Sequence, residues 1–141
     1  MTTKLLVPFD GSSGSLRALQ HAIDMAEHTG VELIVLNVQF NYNTRNVRKF
    51  TTDHQIRAFH DEAAKRAFEK AEGILKESGV AYTFRKRVGL PDQVILEESR
   101  DEDIQAIIMG TRGVGRVRGA LLGSVSQNVM QSTIKPVTIV P

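Results

Sequence analysis

Gly110, Gly113, Gly123 and Ser124 follow the spacing G-x2-G-x9-G-S, with Arg112, Arg116 and Arg118 among them and no acidic residue anywhere in 110–130. Glycine at positions 110 and 113 permits positive backbone torsions and lets amides approach a ligand closely. Gly123 sits just before Ser124, where a helix is expected to begin. A helix start presents up to four unpartnered amides and a partial positive charge. The hydroxyls of Ser124 and Ser126 would add donors, and Arg112 and Arg116 would add charge-assisted bonds. Residues of these types at this spacing point to a site for a polyanion, phosphate groups first among them. Arg118, one position before Gly119, reads as a surface residue.

Two familiar phosphate motifs do not fit. Gly110 and Gly115 have the Walker separation, but Arg116-Val117 follows where Lys-Ser/Thr is required. Gly113-Val114-Gly115 opens a dinucleotide pattern whose last position is Arg118 instead of glycine. The four histidines, His21, His28, His54 and His60, form no metal cluster and are expected to face solvent. No Ser-His-Asp arrangement stands out, so neither a catalytic residue nor a metal ligand is assigned.

The elements that must position this chemistry follow from periodicity. Residues 4–9 (KLLVPF) form a short apolar run ending at Asp10-Gly11-Ser12-Ser13-Gly14, a buried strand and a turn. Residues 15–29 carry Leu16, Leu19, Ile23 and Ala26 at helical spacing, with Ser13 or Ser15 as the cap and Gly30 as the stop. Residues 31–38 are nearly all apolar, as in a strand covered on both faces. Residues 39–54 show no period and read as a long loop, either functional or a plain insertion. A helix is predicted over 55–78, with Ile56, Phe59, Ala63, Ala67, Ala71 and Ile74 on its inner stripe and Gly79 at its end. An edge strand over 80–88, a helix over 90–102, a buried strand over 104–109, a helix over 124–134 and a last strand, Val137–Val140, complete the chain.

Strands alternating with helices predict an α/β fold, a parallel sheet with helices on both faces. Right-handed crossovers leave few doubly wound orders, and 3-2-1-4-5 is the one expected for five strands. Its winding reverses between the first and fourth strands, beside which ligands bind at the carboxyl ends. That places the Asp10 turn next to the glycine-rich loop.

Length and composition set the outer bounds. The 141 residues fit one domain, expected to span 1–141, and 41% hydrophobic with 24% charged residues is ordinary for a globular protein. No apolar run approaches the roughly 20 residues of a membrane span. The opening residues are too short in apolar positions for a secretory leader, and no cysteine is present. Cytoplasmic location, with no membrane partner, is the expectation. A net charge of +2 makes no global case for nucleic acid. The local basic runs are Arg45, Arg48 and Lys49, and Arg85-Lys86-Arg87, the latter read as solvated surface.

The spacing Gly110-x2-Gly113-x9-Gly123-Ser124 resembles the nucleotide-binding signature of the universal stress protein family. The likeness runs the whole chain: VPFDGS at 7–12, LNV at 36–38, IIMGTRG at 107–113 and GSVSQNVMQSTIKPVTIVP at the end. It implies a Rossmann-like, adenine nucleotide α-hydrolase-like fold that usually dimerises, and membership of the branch that binds ATP, ADP or AMP. Carried onto this sequence, Pro8, Phe9 and Asp10 border adenine and ribose, and Val38 meets the adenine edge through its backbone. Gly110, Thr111, Arg112, Gly113, Gly115 and Arg116 line ribose and phosphates. Gly123, Ser124, Val125 and Ser126 hold the phosphates.

A carboxylate beside phosphate repels it, so Asp10 should accept from a ribose hydroxyl or the adenine amine, or reach phosphate through Mg²⁺; its other reading is to order its own turn. The function implied is a nucleotide-binding stress-response regulator, with a still unknown protein partner. A slow ATPase and a dimeric scaffold with an empty site stay open. The HxGH pattern of related adenylyl transferases is absent. The apolar edge Val137–Val140 is the expected dimer contact.

Overall fold

A computed structural model of the protein describes residues 3–40, 52–111 and 122–141. The expectations placed on Arg45, Arg48, Lys49, Arg112, Gly113, Gly115, Arg116 and Arg118 lie outside those residues. In chain order the elements are β1 (Lys4–Pro8), α1 (Ser13–Glu27), β2 (Glu32–Gln39), α2 (Asp53–Ser78) and β3 (Tyr82–Val88), followed by α3 (Pro91–Ser99), β4 (Ile104–Gly110), α4 (Ser124–Ser132) and β5 (Val137–Val140). All neighbouring strands are parallel and their order is β3-β2-β1-β4-β5, as the sequence predicts.

The central strands β1, β2 and β4 are mostly apolar because each is buried on both faces, whereas the edge strand β3 (YTFRKRV) is not. Leu5, Val7, Leu33, Val35 and Ile108 point to one face, against Leu19 and Ile23 of α1 and Ala67, Ala71 and Leu75 of α2. Leu6, Ile34, Leu36, Ile107 and Met109 point to the other, against Val94 and Ile95 of α3 and Val129 of α4. Each buried Leu, Ile, Val or Met among them contributes about 1.5–3 kcal/mol by leaving water. Together they fix the strand ends that carry the site.

The helix ends differ from the sequence expectation in instructive ways. Ser12, not Ser13 or Ser15, caps α1, its hydroxyl accepting from the Ser15 amide at 3.2 Å. α2 begins at Asp53 because Thr52 and Gln55 form a reciprocal capping box. Its buried stripe is His60, Ala64, Ala67, Ala71 and Leu75, whereas Phe59 is 53% exposed. Ala63/Ala64 and Ile74/Leu75 are adjacent apolar pairs, so periodicity leaves the face uncertain by one residue, and packing settles it. α3 stops at Ser99, whose hydroxyl donates back to the Leu96 carbonyl. α4 stops at Ser132, where Thr133 turns extended and its side chain binds Lys135.

Arg85-Lys86-Arg87 is not the merely solvated run expected. Arg85 and Arg87 both bind Glu98, Arg87 also reaches Glu97 at 2.8 Å, and Lys86 pairs with Asp61. Burial pushes the Glu98 carboxyl up, but the Arg87 and Arg85 guanidiniums outweigh it and hold the group below its ordinary value. A depressed folded-state pKa gives stability that is present above the ordinary carboxylate range and lost as pH falls through the folded value. Because both arginines are more than a third exposed, the contribution is discounted to roughly 1 kcal/mol. Glu98→Gln is expected to lower Tm by about 3 °C at neutral pH. In melts at acid pH, below the folded value, the two proteins should coincide; a gap of constant size across the range would show that Glu98 acts by packing alone.

Candidate functional site

The carboxyl ends of β1, β2 and β4 open on one cleft of about 690 Å³, a size suited to a small-molecule ligand. β1 lies between β2 and β4, so the cleft straddles the point where the winding reverses.

Its middle wall is the end of β1. Phe9 is 2% exposed; its amide donates to the Leu36 carbonyl at 2.8 Å, and its carbonyl accepts from Asn37 Nδ2 at 2.8 Å. Pro8, Phe9 and Asp10 all line the cleft. Asp10 also orders its turn, Oδ1 accepting from the Ser12 amide at 2.9 Å, while it lines the cleft. Gly11, at φ +83°, makes the turn that aims the chain into α1.

The second wall is the end of β2. Val38 and Gln39 line it, and Asn37, 1% exposed, ties β2 to β1 through the Phe9 carbonyl. Gln39 Nε2 donates in turn to Asn37 Oδ1.

The third wall is the junction of β4 with α4. The Gly123 amide donates to the Thr111 carbonyl at 2.7 Å. Ser126, 3% exposed, donates to the carbonyls of Gly110 at 2.8 Å and Thr111 at 3.1 Å. Its single proton is therefore committed to the backbone, and its role is to brace the helix start rather than to donate to a ligand. Gly110 and residues 123–126 line the cleft; Thr111 is not among the lining residues.

Gly123 is the N-cap of α4 in extended conformation, and no side chain caps the helix. The first-turn amides of residues 124–126 thus keep their capacity for an anion, in contrast to α1, where Ser12 takes that place. Gly110 serves a different purpose from the one expected. It does not have positive φ; instead a Cβ there would lie 2.9 Å from the carbonyl carbon and oxygen of Gly14, so its missing side chain lets α1 pack onto β4.

The sequence reading missed Arg66 and Lys70. One helical turn apart on α2, they line the cleft beside Ala63 and Ala67, and Lys70 Nζ lies 3.3 Å from the Gly11 carbonyl. Their i, i+4 spacing was visible, but nothing in it says that this face of α2 overhangs the strand ends. Among the described lining residues Asp10 is the only acid, so the cleft favours an anionic ligand. His60 corrects a further expectation: it is 4% exposed, with Nε2 3.1 Å from the Phe40 carbonyl, whereas His21, His28 and His54 are exposed. Its place on the packed face of α2 buries it. Among the described residues no group of acids and histidines could hold a metal, and no helix is long and apolar enough to cross a membrane.

Comparison with known proteins agrees with this fold. A family model described as the universal stress protein family matches residues 1–141. Universal stress protein YxiE of Bacillus subtilis is 31% identical over 99% of both chains. The solved structure of the Methanocaldococcus jannaschii protein MJ0577 superposes with a TM-score of 0.85 at 31% identity, over 99% of this chain and 96% of that one. A universal stress protein from Archaeoglobus fulgidus, solved in complex with dAMP, superposes with a TM-score of 0.70 at 23% identity, over 100% and 98% of the two chains.

Proposed function

On the premise that this chain belongs to the universal stress protein family, we propose that it is an adenine-nucleotide-binding regulator of the stress response, acting in the cytoplasm. The observation that carries the reading is the uncapped start of α4, opening into the same cleft as the ends of β1 and β2. Phosphates bind the first-turn amides of residues 124–126, where the helix dipole favours negative charge. Asp10 accepts from a ribose hydroxyl at the middle of the cleft, and the base reaches the backbone of Val38. Arg112, Gly113, Gly115 and Arg116 belong to the phosphate and ribose contacts by their place in the family signature. Arg66 and Lys70 add positive charge from α2. Mg²⁺ enters with the phosphates, since Asp10 is the only carboxylate among the described lining residues. The dAMP held by the Archaeoglobus fulgidus protein supports an adenine nucleotide as the ligand class. β5 leaves one side unpaired at the end of the sheet, and a two-fold dimer forms along Val137–Val140.

One experiment tests these statements together. Purified protein is incubated with ATP and Mg²⁺, passed over a sizing column, denatured, and its released nucleotide identified. Retained ATP in a dimer-sized peak is expected. ADP in its place would make the protein a slow ATPase; an empty protein would defeat the nucleotide reading, and a monomer at every concentration would defeat the dimer.

A further inference from the structure

We propose that Arg66 and Lys70 form a second anion subsite in the cleft, which takes a phosphate on the ribose 2′ or 3′ oxygen of a nucleotide already held by its 5′ phosphates. Resting on the nucleotide reading above, the subsite extends it to a chemical class: nucleotides phosphorylated on both sides of the ribose. Arg66 and Lys70 are the only cations among the described lining residues. They stand one helical turn apart, where Cβ atoms lie about 5–6 Å from each other and like charges destabilise the helix. Glu62 and Glu69 are each one turn from Arg66 on α2, yet neither pairs with it, and no acid among the described residues pairs with Lys70. Lys76, Arg85, Lys86 and Arg87, away from the cleft, all have a carboxylate partner. Lys70 Nζ meets the Gly11 carbonyl at 3.3 Å, which leaves two of its three protons to bind a ligand. A repelling pair without a counter-ion, set on the wall of a cleft, is an arrangement that an anion relieves.

Their place is not that of the 5′ phosphates. α1 and α2 cover one face of the sheet, and α3 and α4 cover the other. The two cations and the start of α4 therefore flank the strand ends from opposite faces. Asp10, at the end of β1, stands between them, and its role in the proposed complex is on a ribose hydroxyl. Lys70 lies against the next residue: a Cβ on Gly11 would come 3.5 Å from Lys70 Cδ and 3.6 Å from its Nζ. With one ribose hydroxyl on Asp10, the other is the position from which a phosphate reaches Lys70 and Arg66. A carboxylate for a ribose hydroxyl and a cation for a ribose phosphate are the two means by which doubly wound folds tell such nucleotides apart. This cleft holds both.

The test is calorimetric titration with four nucleotides: AMP, ADP, and adenosine 2′,5′- and 3′,5′-bisphosphate. At least one bisphosphate should bind the wild type about tenfold more tightly than AMP, and the gain should shrink as salt is raised. In the double variant Arg66→Gln/Lys70→Gln that bisphosphate and AMP should come within about twofold of each other, while the ratio of ADP to AMP stays as in the wild type. Ratios cancel any loss that the variant imposes on all four nucleotides alike. If neither bisphosphate gains over AMP, or if the gain survives in the double variant, the inference is overturned and the nucleotide site stands. A lowered ADP to AMP ratio with the bisphosphate gain intact also overturns it, by placing the two cations on the 5′ phosphates. Should the double variant fail to fold, Lys70→Gln alone is read by the same ratios. A wild type that binds none of the four overturns the nucleotide reading and this inference with it.

Discussion

Gly110→Ala is expected to lower folding stability by about 3 kcal/mol, the upper end of the usual cost of overpacking, and to depress Tm by roughly 10 °C. The added carbon would sit 2.9 Å from both the carbonyl carbon and the oxygen of Gly14. Those are backbone atoms in the first turn of α1, and no side-chain rotation can move them aside. Either α1 lifts from the sheet or the end of β4 shifts, and the second movement carries with it the carbonyl that Ser126 holds. Nucleotide retention should fall together with stability. Gly73→Ala is the matched control: it lies within α2, and nothing would come within 4 Å of its Cβ. It should raise stability by up to about 1 kcal/mol through helix propensity. Thermal melts of the two variants beside the parent decide the point, and a Gly110→Ala protein that melts with the parent would mean that α1 does not press on β4 as described.

Ser124→Asp is expected to have opposite effects on folding and on binding. Ser124 is exposed in the first turn of α4, where no acid stands and no side chain caps the helix. A carboxylate there meets the positive end of the helix dipole and should add about 0.5 kcal/mol of stability to the free protein. The same carboxylate occupies the place proposed for phosphate. Like charges at that range should weaken nucleotide binding at least about a hundredfold, close to 3 kcal/mol. Calorimetric titration with ATP gives the second quantity and a melt without ligand the first. A folding defect would move both in the same direction, so the sign separates the two explanations. Undiminished affinity would remove the start of α4 from the phosphate site.

The order of the sheet was legible because it depends on coarse properties: apolar runs of strand length, helical periods between them, and a single handedness for the crossovers. The neighbourhood of Asp10 and Gly123 followed from that order alone. Details that depend on one residue's rotation or reach were not legible. The inner face of α2 is set by packing against β2 and β3, and the sequence offers adjacent apolar residues at both ends of the stripe. Arg85 and Arg87 find Glu97 and Glu98 because the short turn after β3 brings α3 back over the sheet within their reach. Arg66 and Lys70 reach the cleft through the way α2 lies on the sheet, which no spacing reveals. At Gly110 the backbone that approaches closely is that of Gly14: the glycine pattern reports close approach of backbone without saying whether a ligand or a helix does the approaching.

Arg85, Lys86 and Arg87, paired with Glu97, Glu98 and Asp61, set charged side chains along the β3 flank, which discourages a further strand from pairing there. Among the described residues no ion pair guards the β5 flank, Val137–Val140. The proposed strand addition would then have one direction only. In the dimer proposed above, a molecule joined to its twin along that flank would have no second open flank, and association would end at two.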